Sequence, residues 1–270
     1  MQRKLVYGLG GAGKVYFVLA QAPAAGTMVV AVNEDDIAWW QDNLSALGPL
    51  FGNIAVYTFP PADRFARLSA LQGLSAAPRA ILLATPESLA LKTLSPESLQ
   101  RQTINFQAGR SYSLQEILGT LARNGYVRED FVEQEGNFSR RGEILDIWAV
   151  GQQSPWRIVF NYDTVESIRR FDVTTQRSEE FTAAAAILPA DEAAETFITG
   201  YLPAETPLFV DTDISQIPDP DLFNPQIIHT LLNTATAPSM PVFALSSAGR
   251  GIFRFFSMST ASFHARVLPR

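Results

Sequence analysis

A glycine loop set between an apolar run and a helical run constrains this chain more than any other feature. Residues 4–7 are a short β-like run, Gly8-Leu9-Gly10-Gly11-Ala12-Gly13-Lys14 follows, and residues 15–20 read as the start of a buried helix. A strand that turns through glycines into a helix is the opening of a parallel α/β sheet. The first hundred residues continue in kind. Residues 28–32, 54–59 and 79–84 are strand-like, and between them Ile37, Trp40, Leu44 and Leu47 have helical spacing, closed by Gly48-Pro49.

The loop has the G-x-x-x-x-G-K spacing of a phosphate-binding loop. Such a loop wraps phosphates with backbone N–H groups at a helix N-terminus, and its lysine neutralises the outer phosphates. The next residue of a working loop is Ser or Thr, whose hydroxyl holds magnesium. Here it is Val15, which ligates nothing. The companion carboxylate ends a strand, and the best candidate is Asp211, closing the apolar run 208–211. Thr212 follows in place of a second acid, and Asp213 shares the face of Asp211 only if the strand continues. Gly8, Gly13, Lys14 and Val15 are therefore read as a degenerate phosphate loop, with Asp211 as a degenerate acid position. No catalytic residue, metal site or cofactor is expected.

The middle of the chain is different. Ser113-Leu114-Gln115-Glu116 is a capping box. Leu114, Ile117, Leu118 and Leu121 then form one apolar helix face, ended by Asn124-Gly125. Strands are predicted over 131–135, 143–149, 156–162 and 165–171, the third alternating Trp156, Ile158, Phe160 and Tyr162 with Arg157, Val159 and Asn161. A helix followed by an antiparallel meander makes a small α+β domain of about 80 residues. Charge marks out the same stretch. Ten of the 18 arginines lie between Arg101 and Arg177, the chain has only three lysines, and residues 178–249 contain neither. Arginine in preference to lysine favours planar, bidentate contacts to carboxylates.

Other classes are narrowed by composition. The chain has no cysteine, which excludes disulfides, cysteine-ligated metals and cysteine nucleophiles. His229 and His264 are the two histidines and are read as ordinary core or surface residues. A net charge of −6 argues against non-specific nucleic-acid binding by the whole chain. No apolar run approaches the roughly 18–20 residues of a membrane helix, and the N-terminus lacks a secretory h-region. A cytoplasmic chain without membrane partners is expected.

A series of blocks in fixed order carries a resemblance. They are Gly125-Tyr126-Val127-Arg128-Glu129-Asp130, the run from Gly136-Asn137-Phe138-Ser139-Arg140-Arg141-Gly142 through Asp146-Ile147-Trp148, Arg157-Ile158-Val159-Phe160, Val165-Glu166-Ser167-Ile168-Arg169, and Phe171-Asp172-Val173-Thr174-Thr175-Gln176-Arg177-Ser178. Together they resemble the UvrB-like N-terminal region of the bacterial transcription-repair coupling factor (Mfd) family, and UvrB shares the pattern. The loop at 8–14 matches the place of that family's degenerate phosphate loop. Tyr201-Leu202-Pro203 and residues 208–211 look like the returning half of its first domain.

The resemblance implies an α/β fold: an incomplete P-loop nucleotidase-like parallel sheet, RecA-like and like UvrB domain 1, interrupted by a small α+β domain that binds UvrA. The implied divisions are 1–100 and 183–270 for the two halves of the sheet domain and 101–182 for the insert. The implied role is non-catalytic recruitment of UvrA to damage-stalled transcription in nucleotide excision repair. ATP, RNA polymerase and double-stranded DNA would be met by motor and polymerase-binding domains of a full-length protein, which this length does not hold. The family's UvrA contacts, arginines on one face of the insert, carry over to Arg128, at the Y-x-R place, and Arg141, at the R-G place. A third family position falls on Ser139, with Arg140 beside it, and along a strand Arg140 points away from the face of Arg141. The alternative for Arg128 and Arg141 is ion pairing within the domain, to Glu129, Glu143 or Asp146. Phe138 is a candidate surface anchor, with the core as its alternative place. Two other readings stand beside this one: a nucleotide-binding P-loop enzyme using Lys14 and Asp211, opposed by Val15, and a UvrB-like DNA-binding module, opposed by the acidic last third. The apolar stretch 249–270, with Phe253, Phe255 and Phe256, would need burial in a core or a partner.

Overall fold

The computed structural model describes residues 2–6, 9–203, 205–213, 215, 217 and 227–231. Gly8, His264 and the stretch 249–270 lie outside the described residues. Strands β1 (Gln2–Val6), β2 (Gly26–Val32), β3 (Ala55–Phe59) and β4 (Arg79–Ala84) alternate with helices α1 (Ala12–Ala20), α2 (Ile37–Leu47) and α3 (Arg64–Ala76). After α4 (Pro86–Leu89) the chain passes through β5 (Lys92–Thr93), α5 (Pro96–Gln102) and β6 (Ile104–Gln107) into a second unit. That unit holds α6 (Leu114–Arg123), β7 (Val127–Arg128), β8 (Asn137–Arg141), β9 (Ile144–Ile147), β10 (Trp156–Asn161), β11 (Thr164–Phe171) and β12 (Ser178–Thr182). The chain returns through β13 (Ala184–Ile187) and β14 (Thr196–Phe197) to β15 (Leu208–Asp211) and β16 (Ile227–Leu231).

The first sheet has the order β1-β16-β15-β2-β4-β3. Every neighbouring pair in it is parallel. The returning strands β15 and β16 therefore enter between β1 and β2 and complete a sheet begun some 200 residues earlier. Parallel strands are covered on both faces, which is why β2 and β4 read as unbroken apolar runs. Met28, Val30 and Val32 pack with Val15, Val18 and Leu19 of α1 and with Trp40 and Leu44 of α2. Val29 and Ala31 pack in the opposite layer with Leu68, Leu71 and Leu74 of α3.

The inserted sheet has the order β12-β11-β10-β9-β8-β7. It is antiparallel except for β7 beside β8. Its inner face buries Phe138, Leu145, Ile147, Ile158, Phe160, Val165 and Ile168 with Leu114 and Leu121 of α6. Ser113 caps α6 through the amide of Glu116, at 3.3 Å. The strand predicted over 131–135 is not formed. The apolar pair Phe131-Val132 mimics strand patterning, but the segment loops across β8, held where the Ser139 hydroxyl donates to the Asp130 carbonyl at 2.8 Å. Gly136, at φ +82°, then turns the chain into β8, a strand that was not expected over 137–141.

Two short antiparallel ladders, β5 with β14 and β6 with β13, form the neck between the units. Polar contacts lock it. The Asn124 amide donates to the Gln102 carbonyl at 2.7 Å. The Asn124 carbonyl accepts from the amides of Ala190 and Asp191. Gly125 is required here for two reasons: its φ is +85°, and a Cβ would lie 2.7 Å from the Cβ of Asp191.

Tyr126 gives the neck a pH signature. Its hydroxyl donates to the Leu188 carbonyl at 2.7 Å. Burial pushes this phenol far above its ordinary value of 10.0. Tyr201, donating to Leu94 at 3.0 Å, is shifted the same way by burial and by nearby glutamates. A raised folded-state value favours the protonated, folded form. The stabilisation is fully present below about pH 10 and is lost as pH rises beyond it. Denaturant midpoints measured from pH 8 to 11 should therefore fall above pH 10, and Tyr126→Phe should fall less steeply there while being less stable at pH 8 by about 1–3 kcal/mol.

Candidate functional site

Two places concern function: the glycine loop and the outer edge of the inserted domain. At the loop, Gly11 (φ +49°) precedes α1. The amide of Gly13 bonds to the Gly10 carbonyl and that of Lys14 to the Gly11 carbonyl, each at 3.1 Å. Two amides that could face a phosphate are thus used within the loop. Lys14 is buried, and its ammonium donates to Oδ1 of Asp211 in an ion pair. Oδ2 of Asp211 accepts from the Trp40 indole at 3.1 Å. Burial raises the Asp211 carboxyl above the usual carboxylate range, and Lys14 and Trp40 pull it back only in part.

The neighbouring positions agree. Val15 is fully buried in the core. Thr212 donates to Asn33 at 2.6 Å. Asp213 is turned to Ser215, whose amide and hydroxyl hold its carboxyl below the usual range. It does not share the Asp211 site. Among the described residues no group of three or more His, Asp or Glu is placed to hold a metal ion. The structure thus brings Lys14 and Asp211 together, as a working loop would, but joins them to each other.

The edge of the inserted domain has the opposite character. Arg128, on the outermost strand, is exposed and its side chain has no ion pair or hydrogen bond among the described residues. Arg141 is half-exposed and bonds to Asp146 at 2.9 Å, so the internal pairing considered for it is real. Its guanidinium also lies 5.2 Å from the centroid of Phe131, which is 54% exposed. Asp146 is shared: Arg157 grips the same carboxylate at 2.8 and 2.9 Å. These hydrogen bonds push the Arg157 guanidinium above its ordinary value.

Register decides the remaining positions. Phe138 pairs with Ile147 and is 3% exposed, so it is a core residue and not a surface anchor. Arg140 is exposed and turns to the Gly142 carbonyl at 3.1 Å, on the other pleat face from Arg141. Arg128 stands beside Phe138 in register, so pleat alone does not put it on the face of Arg141. Arg128 thus stands on the free edge strand β7, while Arg141 stands with Phe131 at the far end of β8. Phe131 and Arg157 stand at this edge and were not among the residues expected there, and Asp146 was weighed only as an internal ion-pair partner. The signal for Asp146 was a lone acid inside the apolar run Ile144–Ile147, which needs a buried cation opposite it.

The UvrB interaction domain family matches residues 104–192, the span from β6 through the return at the neck. The chain is also similar to proteins named transcription-repair-coupling factor. It is 32% identical over 137 residues to that of Haemophilus influenzae, covering 50% of this chain and 12% of the relative. It is 27% identical over 202 residues to that of Escherichia coli K12, covering 71% and 18%. With the Staphylococcus haemolyticus protein it shares 42% identity over 91 residues, 33% and 8%. The chain therefore spans under a fifth of the length of these relatives. These similarities support an N-terminal coupling-factor-like region, with a match to the UvrB interaction domain family in its middle. No helix among the described residues is long and apolar enough to cross a membrane.

Proposed function

We propose that this chain is a non-catalytic module that recruits UvrA, through its UvrB interaction domain, to transcription stalled at DNA damage. The observation that carries the reading is Arg128, an exposed cation with no counter-charge among the described residues, on the edge strand of that domain, whose neighbouring strand β8 ends in Arg141 over the exposed Phe131. An arginine fork beside an exposed aromatic suits a carboxylate-bearing protein surface. The first sheet would then be a RecA-like, UvrB domain 1-like nucleotidase fold in two halves, 1–100 and 183–270, with the insert at 101–182. Its nucleotide site supports the same reading: Lys14 is neutralised from within, Val15 offers no hydroxyl, and no cofactor is needed. RNA polymerase and double-stranded DNA would be partners of further domains in a longer, cytoplasmic protein.

The test is UvrA binding by calorimetry with wild type, Arg128→Ala and Arg141→Ala, and ATP turnover on the same samples. Wild type should bind, each variant should bind at least tenfold more weakly, and turnover should stay at background. Arg141→Ala leaves Asp146 with Arg157, so the fold should survive it. A folded wild type that fails to bind UvrA would sink the proposal, and magnesium-dependent turnover would return attention to Lys14 and Asp211.

A further inference from the structure

The outer face of the inserted sheet carries a row of side chains that crosses five strands. Ser139 pairs with Asp146, Asp146 with Arg157, Arg157 with Arg169, and Arg169 with Phe181. Paired residues share a pleat face, so the row is continuous from β8 to β12. Arg141 lies on the same face, two residues from Ser139. Charge along the row is unbalanced among the described residues, because the carboxylate of Asp146 serves Arg141 and Arg157 and not Arg169.

Arg169 is the one left over. It stands directly across from Arg157, and like charges in that position are destabilising. No carboxylate among the described residues pairs with it. One terminal nitrogen donates to the Ser167 hydroxyl at 3.0 Å, and its Nε is buried with no hydrogen-bond partner. Its guanidinium lies 4.7 Å from the centroid of Phe181, a ring 66% exposed on the edge strand β12. The face thus ends in two guanidinium–phenyl pairs, Arg141 with Phe131 near the β7 edge and Arg169 with Phe181 at the β12 edge. Strands β8 and β11 are three spacings apart, about 14 Å. That separation matches one contiguous protein footprint.

Resting on the reading that this domain docks UvrA, we infer that the footprint is not confined to the β7–β8 edge but crosses the whole outer face to a second anchor, Arg169 with Phe181, which receives a carboxylate of the partner. An uncompensated guanidinium against an exposed phenyl ring has the composition of an interface centre, where arginine and aromatics are enriched. A nucleic-acid backbone fits less well, because the chain is acidic overall, with a net charge of −6.

The test is calorimetric titration of UvrA with the whole chain at low and physiological salt, using wild type, Phe181→Ser, Arg169→Gln and Arg141→Ala, each checked by thermal unfolding. Phe181→Ser removes an exposed ring and should leave the unfolding midpoint near that of wild type. Phe181→Ser and Arg169→Gln should each weaken binding about tenfold. Arg169→Gln should also flatten the salt dependence. Wild-type affinity in both variants, with loss in Arg141→Ala, would overturn the second anchor and leave the docking reading intact. A wild type that does not bind overturns both. Binding of wild type to a short DNA duplex that is lost in Arg169→Gln would also overturn the inference.

Discussion

Asp146→Ala should cost about 3–5 kcal/mol of folding stability, the range for removing one partner of a buried ion pair. Asp146 is 2% exposed and accepts from both Arg141 and Arg157. Its loss leaves the largely buried Arg157 guanidinium without a counter-charge inside the sheet. The Arg157 side chain is also stacked on Phe171, at 4.3 Å, and cannot leave without opening the core. Arg141→Ala should cost less than about 1 kcal/mol, because that side chain is half-exposed and Asp146 keeps Arg157. Urea unfolding of the two variants separates the roles. Equal costs would mean that Asp146 serves only to orient Arg141, which the shared geometry does not allow.

Arg67→Ala is expected to have the second large effect, again about 3–5 kcal/mol. Arg67 on α3 reaches Glu192, which lies between the neck strands β13 and β14, with Nε 3.1 Å from Oε2. Both side chains are buried, and the other terminal nitrogen donates to the carbonyls of Pro60 and Pro61. The contact ties the sheet domain to the returning segment of the neck, so removing it strands Glu192 and two carbonyls at once. Hydrogen exchange should show faster opening concentrated at the neck, in β5, β6, β13 and β14. A variant as stable as wild type, with unchanged exchange there, would show that the neck ladders alone set the relative position of the two units.

The first sheet was legible because burial on both faces leaves apolar runs that no other element produces, as in Met28–Val32 and Leu82–Ala84 of the sequence. Helix α6 was legible through its cap and its apolar stripe. Pairings between distant residues were not. Lys14 and Asp211 could each be named as halves of a phosphate site, yet nothing local says that 197 residues of separation end in a direct ion pair that closes it. Register was equally hidden. Whether Phe138 or Ser139 faces the core depends on which residue of β9 it meets, and one step would exchange the two faces. The segment 131–135 misled because Phe131 and Val132 look like strand residues, while Phe131 is in fact spent on the surface under Arg141.

The central claim is that the outer edge of the inserted domain, and not the glycine loop, is the working surface. Hydrogen–deuterium exchange of the chain with and without UvrA tests it most directly. The account requires slowed exchange in β7, β8 and the loop carrying Phe131, with α1 and the residues around Asp211 unchanged. Protection centred on the glycine loop and Asp211, with β7 and β8 exchanging as in the free chain, would contradict it.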